Sequence, residues 1–363
     1  MPLTQGRPSG SLSLDGLRIQ LRNVLLGFSQ YFRVEHMPGK LIRSHVLGLF
    51  LNLLSHGASM REQMDLCKLV EQYGDDTNCR KALENIRWPD GVRCPSCKSE
   101  KISRIVARNQ FDCDSCRYQF SVLSGTIFHD THLPLHKWFL ATYLLCESKK
   151  GMSALQMQRM LHTTYRTSWY LCHRIRAAMQ EVEPKPLGGT VEIDETYVGG
   201  KKRRWRPKST KQVVIGIRQR NGDLRLIRAT DATSKTVREI INKNLGSHVE
   251  VIMTDESSIY PFALNKMQKD KHRTINHTRQ YAHGDVHTNT VESAFSLLKR
   301  GIVGTWHKVD AKHLPAYLDE MCFRFNNRKN PYLFRDTIIK LINTQNLEYK
   351  ELVATIQEPD AAA

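Results

Sequence analysis

Cys94 and Cys97 are separated by two residues, as are Cys113 and Cys116, with fifteen residues between the pairs. Two residues between thiolates let a tight knuckle aim both sulfurs at one ion. Two knuckles complete a tetrahedron, so the spacing predicts a ribbon folded around one structural zinc. So small a module buries little apolar surface, and ion binding must supply much of its folding free energy, about 10–16 kcal/mol. Four unrelated buried thiols would satisfy the composition but not the spacing, and a redox pair needs no second knuckle. Cys67, Cys79, Cys146, Cys172 and Cys322 lack partners at ligand spacing. They are expected to be ordinary buried residues.

A second constellation is acidic. Asp194 ends an alternating stretch, Thr190–Ile193, that reads as a strand. Asp255 ends a β-branched stretch, His248–Met253, and thirty-six residues separate it from Glu292, inside the helical pattern Thr288–Arg300. Three converging carboxylates repel one another unless cations bind. Two hard divalent ions about 3.5–4 Å apart could clamp the attacking and leaving oxygens of a phosphodiester displacement. One polarises a water or a DNA 3′-hydroxyl, and the other stabilises the departing 3′-oxyanion. A single acid after a strand would be a solvated surface charge; three at these positions predict a site. Lys299, seven residues after Glu292, shares its helix face and is placed to meet a phosphate. Asn289, three residues before Glu292, is expected to orient or to substitute as a ligand. His287 caps the helix or meets DNA, unless it is simply structural. The dense run Lys201-Lys202-Arg203-Arg204-Trp205 reads as a phosphate-contacting loop with an aromatic that can stack on a base.

These residues need elements to position them. Leu66, Leu69, Val70 and Tyr73, then Ala82, Leu83 and Ile86, recur at helical spacing, and Gly74-Asp75-Asp76 breaks them into two short helices. Ile102–Val106 and Tyr118–Val122 alternate as ribbon strands. A helix starting near Pro134 precedes a short helix Ala154–Leu161, capped by Ser153. The turn His162-Thr163-Thr164 then leads into a longer helix Tyr165–Met179. That longer helix carries Arg166, His173, Arg174 and Arg176, so the pair reads as a helix-turn-helix whose basic outer face meets DNA. Any helical hairpin with a basic face would look similar. Beyond the linker, Gln212–Gln219 and Leu224–Ala229 read as a hairpin turned by Asn221-Gly222. Helices Ser234–Leu245 and Ser258–Leu264 and a strand His272–His277 follow the same alternation. The order β-β-β-α-β-α-β-α is that of the RNase H-like fold.

The expected architecture is α+β and multidomain: N-terminal helices, zinc ribbon, helix-turn-helix, then an RNase H-like α/β catalytic domain with a mixed sheet. Its divisions are 1–60, an accessory arm or mis-started extension with only Asp15 and Glu35 as acids; 61–92, short helices; 93–130, the ribbon; 131–182, helix-turn-helix. A linker over 183–189, the catalytic domain over 190–335 and a helix and tail over 336–363 complete it. Met60 and Met64 are alternative starts. The chain has 363 residues, 40% hydrophobic and 25% charged, which excludes a disordered or disulfide-scaffold protein. Fifty-four Lys and Arg against 36 Asp and Glu give a net charge of +18, pointing to a polyanionic partner rather than to a fold. The longest apolar run, His45–Leu54, is too short for a membrane span. The thiols are expected in a reducing compartment.

Several stretches resemble the zinc-ribbon DDE transposases of bacterial insertion sequences, a group related to the eukaryotic Merlin elements. They are Trp88-Pro89-Asp90-Gly91 before Cys94-Pro95-x-Cys97, Asp194-Glu195-Thr196-Tyr197-Val198-Gly199-Gly200-Lys201, and His287-Thr288-Asn289-Thr290-Val291-Glu292. His313-Leu314-Pro315 and Arg324-Phe325-Asn326-Asn327-Arg328 complete the set. The resemblance runs from about Met64 to Asn330 and is similar to ISXO2-like members. It implies DDE roles for Asp194, Asp255 and Glu292 and the trailing basic role for Lys299. It also implies a cytoplasmic, nucleoid-associated bacterial protein, Mg2+ or Mn2+ dependence, binding of terminal inverted repeats, strand cleavage, and transfer of 3′-hydroxyl ends to target DNA by at least a homodimer on DNA. Some relatives carry Asn for the third acid, so Asn289 and Glu292 share that expectation. The competing expectations are a DNA-binding regulator with an inactive nuclease domain and a nuclease that stops at cleavage.

Overall fold

The computed structural model describes residues 63–199, 211–275 and 287–354, within the compact unit Glu62–Ala363. The arm expected over 1–60 and the basic run Lys201, Lys202, Arg203 and Arg204 lie outside the described residues.

Helices α1 (Leu66–Tyr73) and α2 (Asp76–Arg87) each begin on an aspartate. Asp65 accepts from the Lys68 N–H and Asp75 from the Asn78 N–H, satisfying amides that have no partner inside the helix. The three-stranded antiparallel ribbon sheet is β1 (Ile102–Ile105), β2 (Gln110–Cys113) and β3 (Gln119–Phe120), in that order. Sequence reasoning passes over β2, although Gln110-Phe111-Asp112-Cys113 alternates in burial as a strand does, because its last residue reads as a metal ligand. Helices α3 (Leu135–Glu147), α4 (Ala154–Leu161) and α5 (Tyr165–Met179) follow. Ser153 caps α4 through the Gln156 N–H and Thr164 caps α5 through the Thr167 N–H. Between them His162 ends α4 in the left-handed conformation, φ 48°.

The α5 side chains differ from the expected outward basic face. Arg174 is 4% exposed and Arg176 2%. Arg174 donates to the His129 carbonyl and to Asn346 Oδ1, each at 2.8 Å, and lies over the Trp138 ring. Arg176 Nε donates to Glu320 Oε2 at 2.6 Å, and its guanidinium sits 4.0 Å from the centre of the Tyr317 ring. His173 is buried too; burial, with Arg176 and His313 nearby, pushes its imidazole down to about 2, so it stays neutral. Arg166 alone of the expected DNA-contacting arginines on α5 is exposed, with its guanidinium 4.2 Å from the Tyr349 ring centre. A basic residue in a helix has no inherent outward direction; the acid 144 positions away decides it. Cys67 is exposed and Cys322 half-buried, unlike the buried thiols expected.

The second sheet has five strands: β4 (Leu187–Val198), β5 (Gln212–Gln219), β6 (Leu224–Ala229), β7 (Leu245–Asp255) and β8 (His272–Ile275). Their spatial order is β6-β5-β4-β7-β8. The pairs β6/β5 and β5/β4 are antiparallel; β4/β7 and β7/β8 are parallel. Strand β4 starts inside the segment expected as linker, because Leu187 and Gly189 pair with Leu245 and Val249. The β5–β6 turn is the expected hairpin, with Asn221 left-handed at φ 57°. Helix α6 (Ser234–Asn244) is capped by Thr233 rather than Ser234. Helices α7 (Ile259–Ala263) and α8 (Lys266–Asp270) bridge β7 and β8. Helices α9 (Asn289–Gly301), α10 (Leu314–Asn326), α11 (Leu333–Asn343) and α12 (Tyr349–Val353) complete the chain.

Strand β4 sorts its side chains by parity. Val191 and Ile193 join Val237 and Ile241 of α6 and Tyr260 of α7 in one core; Val198 joins Val291 and Phe295 of α9 and Leu318 of α10 in another. A third core draws on α1, α2, α3 and α5 and takes Phe334, Ile338 and Leu341 from α11. Helix α10 ties the halves together. Glu320, fully buried, receives Arg176 on one oxygen and lies 3.1 Å from Arg324 on the other, while Asn326 makes a double hydrogen bond to the backbone of Leu224 on β6. Removing one partner of a buried pair strands the other charge. Glu320→Ala is therefore expected to cost about 3–5 kcal/mol, measured by urea unfolding of the zinc-loaded chain; a change under about 1 kcal/mol would show that the pair holds little.

Candidate metal and acidic sites

Each ribbon knuckle is built the same way. The Lys98 N–H donates to the Cys94 carbonyl at 2.9 Å, and the Arg117 N–H donates to the Cys113 carbonyl at 2.7 Å. Lys98 and Arg117 both take left-handed backbone, φ 64° and 58°, to close the turn. The four sulfurs converge, with Cys94 and Cys116 Sγ 3.6 Å apart and Cys97 and Cys113 Sγ 3.5 Å apart. A tetrahedral zinc about 2.3 Å from each sulfur sets neighbouring sulfurs about 3.8 Å apart. The donor set and spacing fit that ion. Beneath it, Trp88, Phe111 and Phe120 form a small aromatic core.

The acidic site forms where the parallel pairing of β4 with β7 stops: β7 ends at Asp255, whereas β4 does not end at Asp194 as expected but continues against β5 to Val198. One carboxylate oxygen from each of Asp194, Asp255 and Glu195 lies within 4.8 Å of the other two. That span is twice a ligation distance of about 2.4 Å for a hard cation on oxygen donors. The group fits a hard divalent cation, which prefers carboxylate oxygens. Asp194 and Glu195 are successive residues on a strand, so they leave opposite faces of the sheet. Asp194 faces α9, and Glu195 faces α7, where it accepts from the Tyr260 hydroxyl at 2.5 Å. Asp255 accepts from the Ser257 N–H at 3.1 Å. Burial pushes the Asp194 carboxyl up to about 7, against a hydrogen bond from the Glu195 N–H; the charges of Asp255, Glu195 and Glu292 push the same way. Burial likewise raises Glu195.

Helix α9 carries Asn289, Glu292 and Lys299. Glu292 is half-buried, near enough to Asp194 to act on its charge, and accepts from the Thr288 hydroxyl at 2.8 Å. Asn289 and Lys299 are exposed. Seven residues place Lys299 about 10 Å from Glu292 along the helix axis. The helix lies close to the sheet because Gly216, the register partner of Asp194 on β5, has no side chain. A Cβ there would stand 2.6 Å from the Phe295 ring and 2.8 Å from Val291 Cγ2.

Sequence reasoning overlooked Glu195 and Glu192. Three acids in the four residues Glu192-Ile193-Asp194-Glu195, inside an otherwise apolar strand, were the available signal: buried carboxylates must have partners. Glu192 is fully buried and bound by Arg220, His287 and the start of α9. His287 therefore sits beside this carboxylate, ahead of the helix.

A family model described as the ISXO2-like transposase domain matches residues 186–326, which contain every acid just described. One described as the transposase zinc-ribbon domain matches residues 74–119, which contain the four cysteines. The chain is also similar to an uncharacterized protein in transposable element ISH50 of Halobacterium salinarum, 28% identical over 252 residues. That alignment covers 64% of this chain and 84% of the relative.

Two outcomes follow from these sites. Cys113→Ser is expected to lose zinc, measured by elemental analysis, and to open the ribbon to protease within residues 94–120. Retention of one zinc per chain would exclude the four-thiolate site. For Asp194 the folded chain keeps a proton to about 7 that the unfolded chain releases near 3.8. The zinc-loaded, magnesium-free protein therefore loses stability as pH rises from about 4 to about 7, on the order of 2–4 kcal/mol. Asp194→Asn should abolish that slope and raise the melting temperature at pH 8; equal slopes in both proteins would contradict the carboxylate crowding.

Proposed function

We propose that this chain, a zinc-ribbon transposase of the ISXO2-like insertion-sequence group, cuts DNA at the ends of its element and transfers the freed 3′-hydroxyl ends to target DNA. The observation that carries the proposal is the convergence of Asp194 and Glu195 from within β4 with Asp255 at the end of β7, with Glu292 facing Asp194 from α9. Strand order and direction support an RNase H-like reading of the sheet: three antiparallel strands, then two parallel to the first. Helices α4 and α5 support a helix-turn-helix reading by their lengths and the sharp turn at His162.

In this mechanism Asp194, Asp255 and Glu292 hold divalent cations, and Glu195 closes the group from the α7 side. The cations, when bound, supply positive charge beside the attacking and leaving oxygens of the phosphodiester. The protein's own work is to fix its oxygens in place before DNA arrives. Burial, helped by the charges of Asp255, Glu195 and Glu292, keeps Asp194 partly protonated to about 7, so a cation held there would bind more strongly as pH rises through 7. Tyr260 holds Glu195 against the sheet edge by its hydroxyl. Asn289 and Lys299, exposed on α9, orient and contact the phosphates; Arg166 and the basic run Lys201, Lys202, Arg203 and Arg204 extend that contact along the DNA backbone. Arg174 and Arg176 have no part in it, since both are committed to internal partners. The ribbon over 93–130 and the helices over 131–182 bind the terminal inverted repeats, and residues 190–335 do the chemistry. Two ends must be joined, so the working form on DNA is at least a dimer. Among the described residues no helix is long and apolar enough to cross a membrane.

The test is a gel assay with duplex carrying the element's ends and Mg2+ or Mn2+. Wild-type protein should nick or cut at the ends and form strand-transfer products, while Asp194→Asn should bind the same DNA with cutting reduced at least about 1,000-fold, as for loss of a reaction-centre group. Undiminished cutting by the variant would overturn the site assignment, and cutting with no strand transfer would mark a nuclease.

A further inference from the structure

We propose that Glu192 is the positioning residue that sets Glu292 at the cation site, by serving as the N-terminal cap of the helix that carries it. The proposal rests on the reading of Asp194, Asp255 and Glu292 as cation ligands. The first amides of any helix lack internal partners, and the residue before the helix ordinarily supplies one. Here that residue is Thr288, and its side chain makes no capping bond; its hydroxyl donates to Glu292 Oε1 instead, at 2.8 Å. The amides are met from across the domain. Glu192 Oε2 accepts from the Thr290 N–H at 2.9 Å, the Thr290 hydroxyl at 2.7 Å and the Val291 N–H at 3.1 Å.

A carboxylate at a helix N-terminus is favoured by the helix dipole, more so in a buried site where hydrogen bonds to the charge are strong. Glu192 has no exposed surface at all. Its other oxygen accepts from Arg220 Nε at 2.8 Å, and Arg220 Nη2 donates onward to the His287 carbonyl at 3.2 Å, so the residues leading into α9 are gripped as well. Both oxygens are thus committed, which leaves Glu192 no role as a cation ligand. A charge pair placed only for stability needs Arg220 alone. The three donors from the first turn of α9 are what make the arrangement directional. Glu192 and Asp194 are two residues apart on one face of β4, so the strand that carries one ligand also anchors the helix that carries the other. Gly216 sets how close the helix comes to the sheet, and Glu192 sets where along the sheet its first turn sits.

The experiment uses the zinc-loaded full chain and Mn2+ as the probe, with bound ion read from loss of the free Mn2+ resonance signal. Glu192→Gln keeps size and an acceptor but removes the charge. Thr290→Val removes one of the donors and leaves the backbone amides in place. The dissociation constant for the Mn2+ that is lost in Asp194→Asn should rise about 10-fold or more in Glu192→Gln, the range for groups that orient a metal ligand. It should rise less, in the same direction, in Thr290→Val. Affinity for end-bearing duplex, followed by fluorescence anisotropy, should stay within about twofold. A partly misfolded variant lowers the number of sites per chain and leaves the dissociation constant of the folded fraction alone, so a purely structural role cannot imitate the result. Unchanged dissociation constants in both variants would overturn the proposal, as would wild-type protein that shows no Asp194-dependent Mn2+ binding. Wild-type protein that binds Mn2+ in this way but never cuts DNA would instead defeat the transposase reading, and the Mn2+ constants would still decide the role of Glu192.

Discussion

Mutual repulsion among carboxylates is the constraint around which the larger sheet is organised. Asp194, Glu195 and Asp255 each bring an oxygen within 4.8 Å of the others in a half-buried place, and the charge of Glu292 adds to the load. Nothing local in β4 would choose that arrangement, since isolated acids at strand ends turn to water. The surrounding packing imposes it. Two apolar cores, one on each face of the sheet, hold β4 between α6 and α7 on one side and α9 and α10 on the other. Parallel pairing with β7 then fixes Asp255 beside Asp194. The fold stores an unfavourable contact that a divalent cation would relieve, as in a site preorganised for an ion.

The same logic explains where positive charge went. The excess of basic residues says that the chain favours a polyanion, but it does not say which arginines face that partner. Arg174, Arg176 and Arg324 are interior, each tied to acceptors far away in the sequence. Arginine suits this use because its planar fork can serve several acceptors while its stem packs against rings, as Arg176 does on Tyr317. A helix that reads as a DNA-facing surface is in large part an internal strut.

What the sequence made legible was whatever short-range physics controls. Cysteine spacing disclosed the knuckles. Helical period and cap residues located α4 and α5 to the residue, and the Asn221-Gly222 turn paired β5 with β6. Asp194 and Asp255 were visible because one follows an alternating stretch and the other a β-branched one, although β4 runs on past Asp194 to Val198. Whatever depended on a partner distant in the chain stayed hidden. Glu192 looked like one more polar position in an alternating strand until the start of α9, 98 residues on, was seen to lean on it. Glu195 belongs to the acidic group only because Tyr260 waits on the other face of the sheet.

Helix α11 has a consequence for how the protein is made. Phe334, Ile338 and Leu341 complete the core that α1, α2, α3 and α5 begin, though more than 150 residues of sheet and helix lie between. A ribosome delivers those N-terminal helices long before their last wall exists. The helical half therefore reaches its finished packing only after the entire five-stranded sheet has emerged, and a message broken before codon 333 yields a polypeptide with an open apolar flank, suited to degradation.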